Sequence, residues 1–468
     1  MIADKQNHLF QIAFVGEAIQ ARFPHVMSLA HFAKWRFGTL VQVYVTLIIL
    51  LNMGISLTAE YTAIGDLFAK PIGNSTVDGQ EIPLTIGVSR VLPVVLAGAV
   101  TTIYTAAGGL YVSIITDQIQ AILSLFLLAV VAIFVAVTYR PEDLGPLPDA
   151  LAANTAGWGS LATLGISLSA STVFTDALWQ RVWASEDDAA LKKGAAIGGA
   201  LTTLVVFAFG FGGFLAAWAG WVPSSNVSSI AFFELLTQGG ALNPVWIIVI
   251  VAILAVAMNA SAVDSYQAAI TDTIVSLCMT FGWNVNIWYA RAVVVVINIA
   301  PVWASLQGYS IISLYLIPNM IATTSALPLL MGLIDCLEGY VTGFSVLFGC
   351  VFSFFSVAVY GIIDGDDFGD SLYNYFYLIY SWEAFVICLV ASVVGVAIGV
   401  AIEASTRRLA SLAGFYAPFP VPSSRPAELA LLREVRLKGG KAASFETDSG
   451  SDATDQDTTV GKIATVRV

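Results

Sequence analysis

Histidine disappears from this sequence after residue 31: His8, His25 and His31 all precede the first long apolar run. Imidazole chemistry in the rest of the chain, a twin-histidine ammonium pore included, is thereby disfavoured. Cysteine is scarce too. Cys278, Cys336, Cys350 and Cys388 lie in or beside apolar segments without C-x-x-C spacing, which argues against a disulfide framework or thiolate metal site and for packing. Charge is the third scarcity, at 11% of 468 residues. The paired N-P-A of a water channel, H-E-x-x-H and a Walker A loop are missing as well, so the chain is not read as an enzyme or an ATP-driven pump and no cofactor is expected. A charged n-region followed by a short apolar core and cleavage site is not seen, so there is no reading as a signal peptide.

What is present is oil. Apolar side chains make up 57% of the chain and the mean hydropathy is +0.82, far above a soluble protein, so the fold class is an all-α polytopic membrane protein. The net charge of −12 comes largely from acidic loops and an acidic, Ser/Thr-rich tail; it identifies no nucleic-acid partner, and the partner implied is the lipid bilayer. Ten apolar segments follow, at 39–69, 83–107, 111–139, 157–183, 190–222, 243–280, 286–305, 309–335, 338–362 and 373–403. Each is long enough to cross a hydrocarbon core of roughly 30 Å as a helix. "HLFQIAFVGEAIQARF" before them reads as the end of another span. The organisation is thus 1–38, a partial transmembrane helix and cytoplasmic loop; 39–403, a ten-helix transporter domain; and 404–468, a cytoplasmic, largely disordered tail that starts with Pro punctuation.

Charge orients the chain. With "RFPHVMSLAHFAKWRFG" placed inside, only Lys70 and Arg140 are basic among the outer loops, while Lys192, Lys193, Arg407 and Arg408 fall inside. The sequons at Asn74 and Asn226 land outside, as candidate glycosylation sites. The anionic "DGDDFGD" at 364–370 is likewise outer and reads as a solvated turn.

Carboxylates at membrane depth cost several kcal/mol unless they meet water, a cation or a partner. Ser113, Asp117, Gln120 and Ser124 form one polar stripe that suits a helix facing a wet cavity. Ser261, Asp264, Ser265 and Asp272 share a side of the segment 255–276, an oxygen-rich set fit for a small hard cation; the alternative is serines bonded to their own i−4 carbonyls. "GISLSASTVFTDALWQRVWASED" (165–187) is too polar for a lipid-facing span and reads as a discontinuous helix beside a cavity, with Arg181 either an inner-surface anchor or functional. Glu60 and Tyr61 lie inside the first long span, whereas Asp66 is near its outer end and reads as solvated.

Three of these stretches carry a resemblance. "YTAAGGLYVSIITDQIQA" (104–121) resembles the Gly-Gly-Leu…Thr-Asp-x-x-Gln signature of the sodium/solute symporter family, "TDALWQRVWAS" (175–185) its Gln-Arg element, and "MNASAVDSYQAAITDTI" (258–274) its Ser-rich cation-site helix. With "TAEYTAIGDL", the combination most resembles the urea active transporters of fungi and plants. The resemblance runs from about residue 8 to 403 and implies a LeuT-type fold of two inverted five-helix repeats with solute and cation between them. It also implies roles. Asp117 matches an acidic residue of cation binding or coupling. Ala257, Ala260 and Ser261 match the main sodium site, with Asp264 beside them, and Ala260 replaces one of two usual serines, which brings H+ as well as Na+ into question as coupling ion. Thr175, Asp176 and Gln180 match solute-facing positions; Trp179 and Glu60 join them as solute-binding candidates, and Asn319 and Tyr315 are added by location. Aligned so, the first core helix has no counterpart and the second is partial, which the resemblance would make a truncated amino end. The function expected is cation-coupled uptake of urea at the plasma membrane. A transport-dead homologue or nitrogen sensor, or a polyamine as solute, are the alternatives.

Overall fold

The computed structural model describes residues 15–16, 19, 26, 28–69, 74–77, 80–83, 90–138, 144–153, 155–184, 188–220, 231–232, 235, 245–283 and 285–421. Among the described residues the regular elements are helices apart from one small hairpin. In order these are α1 (Leu29–Phe37), α2 (Thr39–Ala69), the strands β1 (Asn74–Val77) and β2 (Gln80–Pro83), then α3 (Val91–Gly109) and α4 (Tyr111–Val137). There follow α5 (Thr155–Val173), α6 (Asp176–Trp183), α7 (Asp188–Trp218), α8 (Val245–Thr280), α9 (Ile287–Ser305), α10 (Ile311–Leu330), α11 (Gly343–Ile363), α12 (Phe368–Tyr373) and α13 (Trp382–Leu412). Among the described residues eight helices are long and apolar enough to cross a membrane, and the α5–α6 pair makes a ninth if counted as one bent span. The remaining apolar segment of the ten is the 36-residue α8.

Several boundaries differ from those read in the sequence. Part of the stretch assigned to an inner loop is helical: Ser28 caps α1 by accepting the N–H of His31 at 3.1 Å, and Gly38, at φ 99°, turns the chain into α2. The loop after α2 folds into an antiparallel hairpin that Asn74 opens; Asn226 lies outside the described residues. The last long helix does not stop at 403: α13 runs to Leu412. Beyond it the chain returns, with the Val421 N–H donating to the Gly339 carbonyl at 2.9 Å and Phe419 edge-on to Tyr340. The rest of the expected tail, 422–468, lies outside the described residues. The anionic 364–370 turn is stitched rather than merely solvated: Tyr375 donates to Asp364 at 2.7 Å and Asn374 to Asp366 at 2.8 Å. Donation to Asp364 pushes the Tyr375 phenol above its ordinary range.

Two glycine features set the helix paths. Gly109, at φ 54° and ψ −144°, breaks one apolar run into α3 and α4, a backbone state closed to residues with a Cβ. Gly395 and Gly399, four apart on α13, lie against Gly349 and Ser345 of α11, where a Cβ on either would come within 2.9 Å of backbone. Membrane helices have no hydrophobic drive to associate, so such small-residue faces bring them together by close packing. Outward faces such as Ile122, Phe126 and Ile133 of α4 stay exposed and apolar, as lipid contact requires. Gly395→Val or Gly399→Val is expected to force α11 and α13 apart and cost about 1–3 kcal/mol, read as a lower melting temperature in detergent. Gly210→Ala on α7, where a Cβ meets nothing within 4 Å, should be neutral or stabilising.

Candidate functional site

The break between α5 and α6 is the local event on which the site is built. Its sequence, "SLSASTVFTD", is rich in hydroxyls that bond their own backbone: Thr172 to the Leu168 carbonyl at 2.6 Å and Thr175 to that of Ser171 at 3.1 Å. At Thr175 the backbone leaves the helix (φ −95°, ψ 89°), and α6 restarts at 61° to α5. A break at membrane depth is tolerated only if the freed carbonyls find donors. They do: Asn52 of α2 donates to the Ser171 carbonyl at 2.9 Å, and the Trp179 indole donates to the Val173 carbonyl at 2.8 Å.

Thr175 and Asn319, both read as solute-facing, line one cavity of about 550 Å³ beside the break, together with Tyr315. Hydroxyls, among them Ser56, Ser171, Tyr266 and Tyr380, add to its polar wall, and among the described residues no charged side chain lines it. The other solute-binding candidates are placed elsewhere. Trp179 is wholly buried as the cap just described, while Asp176 accepts from Thr273 of α8 at 2.8 Å and Gln180 donates to Asp272 at 2.8 Å. Glu60 is buried against Asn259 of α8, whose Nδ2 donates to its side chain and its carbonyl, each at 2.9 Å. None of these four lines the cavity.

The cation-site candidates divide in the same way. Asp117 of α4 pairs with Arg181 of α6 and accepts from Ser261 of α8. Arg181 also donates to Ser265 at 2.8 Å and to the Ala177 carbonyl at 2.6 Å. One turn along α8, the wholly buried Asp264 accepts from four hydroxyls: Tyr104 at 2.9 Å, Ser113 at 3.0 Å, Thr116 at 3.1 Å and Ser265 at 3.2 Å. Those donors replace the water that a buried carboxylate would otherwise need. Ser113 and Asp117 of the α4 stripe therefore meet protein groups on α6 and α8. Gln120 turns away from it, with Ala257 and Ala260, onto a second cavity of about 800 Å³ whose walls are almost wholly apolar. Ala257 and Ala260 thus line that cavity, while the Ser261 hydroxyl is bonded to Asp117.

Sequence reading missed three parts of this region. Tyr104 and Thr116, the partners of Asp264, looked like ordinary helix hydroxyls; Asn52, the donor at the break, is an amide inside an apolar span, a signal that was available. Asp66 corrects an expectation: it is 6% exposed and ion-paired with Arg90 at the start of α3, not solvated. Gln267 was also passed over. Its amide donates to Thr101 and Asn298, each at 2.9 Å, and to Tyr61 at 3.1 Å, tying α2, α3, α8 and α9 together.

No protein-family profile matches the chain. It is similar to the spermidine transporter DUR31 of Candida albicans, 27% identical over 355 residues that make up 75% of this chain and 64% of that protein. The chain therefore spans just under two thirds of the curated relative's length. Its fold is similar to the solved structure of a Na+-coupled sialic acid symporter in a substrate-bound outward-open state, with a TM-score of 0.58 and 16% identity over 86% of this chain and 83% of that one. That likeness establishes the LeuT-type, multi-pass helical architecture.

The Asp117–Arg181 pair should behave as a unit. Asp117→Ala and Arg181→Ala should each destabilise, and the double variant should lose less than the sum, with a coupling of about 0.5–3 kcal/mol in a denaturation cycle on the purified protein.

Proposed function

We propose that the protein is a secondary transporter that takes up a small, neutral, hydrogen-bonding solute, urea, at the plasma membrane with a coupling cation, H+ or Na+. The observation that carries this is the cavity of about 550 Å³ at the helix break, walled by hydroxyls, one amide and apolar groups, with no carboxylate in its lining among the described residues. Urea offers two N–H2 groups and a carbonyl, and neutral donors and acceptors match it without desolvating a charge. The break also gives a hinge by which one bundle rocks against the other. The fold shared with a Na+-coupled symporter supports the class of mechanism.

A polyamine is the second reading, favoured by the name of the Candida albicans relative and by three tyrosines, Tyr266, Tyr315 and Tyr380, whose ring faces would attract ammonium groups. Against it stands the missing carboxylate, because a desolvated polycation wants anionic partners. A nitrogen-sensing role without transport predicts loss of signalling on deletion of 440–468, with no uptake to lose.

Labelled-urea uptake in cells without their own urea transporters separates these readings, using a proton uncoupler and sodium replacement to identify the ion. Concentrative uptake that resists excess spermidine is expected; inhibition by spermidine would move the solute to a polyamine, and no uptake from a chain at the surface would end the transport reading. Thr175→Val and Asn319→Ala should each raise the half-saturating urea concentration roughly tenfold, the equivalent of one lost hydrogen bond at about 1.4 kcal/mol. Asp117→Asn should abolish accumulation with surface expression intact, and unchanged accumulation would remove Asp117 from coupling.

A further inference from the structure

Asp176 is the acidic group left without a role by the arrangement above. It opens the eight-residue α6, is 6% exposed, and follows directly on the cavity-lining Thr175. Its Oδ2 accepts from Thr273 at 2.8 Å, while its buried Oδ1 has no hydrogen-bond partner. One turn on, Gln180 is in the complementary condition. Its Nε2 donates to Asp272 at 2.8 Å, and its own Oε1 is buried without a partner. Residues i and i+4 share a helix face, so two orphaned acceptors stand one turn apart.

A single proton resolves this. An ionised Asp176 would have two acceptor oxygens and one hydroxyl donor, in a place where burying a charge is costly. A protonated Oδ1 becomes a donor, and the unpartnered Gln180 Oε1 is an acceptor on the same face. The charged surroundings do not offer another solution. α6 packs principally on α8, which presents Asp264, enclosed by hydroxyls, and Asp272, which adds negative charge. Arg181, on α6 itself, is turned to Asp117 and Ser265, and neither Asp176 nor Asp272 has an ion-pair partner among the described residues. The positive end of the short α6 lies at Asp176, but gives its Oδ1 no hydrogen bond.

We propose that Asp176 is a proton-binding carboxyl in the seam between α6 and α8, with the exposed Asp272 as its solvent-side partner. Loading forms the O–H bond on Asp176 Oδ1 with a proton delivered from solvent through the Asp272 carboxylate; unloading returns that proton by the same route and leaves Asp176 ionised. Because Asp176 opens α6 directly after the cavity-lining Thr175, gaining or losing that proton acts on the same backbone break that the solute touches. This coupling role rests on the transport reading; the proton site does not.

Infrared difference spectroscopy of the purified full chain tests the site without any solute. At neutral pH the carbonyl stretch of a protonated carboxyl is expected, lost in Asp176→Asn, shifted but kept in Asp176→Glu, and kept in Asp272→Asn with slower hydrogen–deuterium exchange. A protonated-carboxyl signal that is absent from the native protein, or unaltered in Asp176→Asn while that variant melts like the native protein, overturns the proposal. For coupling, Asp176→Asn should keep downhill urea exchange and lose its acceleration by an inward proton gradient, whereas retained acceleration would remove Asp176 from coupling. Absence of exchange in the native chain would sink the transport reading, with the infrared result still deciding the proton site.

Discussion

The ion pair of Asp117 with Arg181 is the contact on which the centre of this protein depends. It joins α4 to α6, and Ser261 and Ser265 tie both partners to α8, so three helices separated along the chain are fixed by one charge-assisted cluster. Membrane helices gain nothing from a hydrophobic effect between themselves, and the tie must come from polar satisfaction and close packing. Both charges are about one-fifth exposed, so the pair is neither dry nor surface-screened. Removing one partner would strand the other at a depth where it has few alternatives, and this explains how a fixed carboxylate is tolerated in an apolar segment.

Around that tie the structure separates two kinds of polar chemistry. Neutral donors and acceptors face the cavity: hydroxyls of α2, α5 and α10, and the amide of Asn319. The carboxylates lie outside its lining, Asp117 held by an arginine, Asp264 by four hydroxyls, Asp176 by one threonine. The helix break lies between Thr175, which lines the cavity, and Asp176, which does not. Its geometry is held by a side chain from each side, Asn52 from α2 and Trp179 from α6, each supplying the hydrogen bond that a straight helix would have supplied internally.

The architecture was legible in the sequence because hydropathy and span length are local properties. Each of the ten apolar segments corresponds to a helix or a bent helical pair, and the small, hydroxylated run before Asp176 marked the break. Partner choice was not legible. Arg181 and Asp117 are 64 residues apart, and three carboxylates on α4 and α8 were equally plausible partners by pattern. Side-chain direction was equally hidden: Thr175 faces the cavity and Asp176, the next residue, faces α8, a divergence set by the non-helical torsions at the break rather than by a period of 3.6. Asp66 shows the opposite failure, since a position near a helix end suggested water until Arg90, from the start of the next helix, closed over it.

Under the proposed transport, the placement of charge bears on how such a cavity would drive movement. A ligand shifts a two-state equilibrium only by its differential affinity for the two states. A neutral solute bound by dipoles in a charge-free wall has little electrostatic leverage of its own, so the gradient must enter through groups that the solute does not touch. Asp117 and Asp176 meet that condition: both lie outside the lining, and both act on α6, the first through Arg181 and the second as its opening residue. A change of charge at either alters the cost of holding α6 at its bend while the cavity's own hydrogen bonds remain intact. Occupancy and charge then report to the same few backbone torsions, which is the physical requirement for coupling between them.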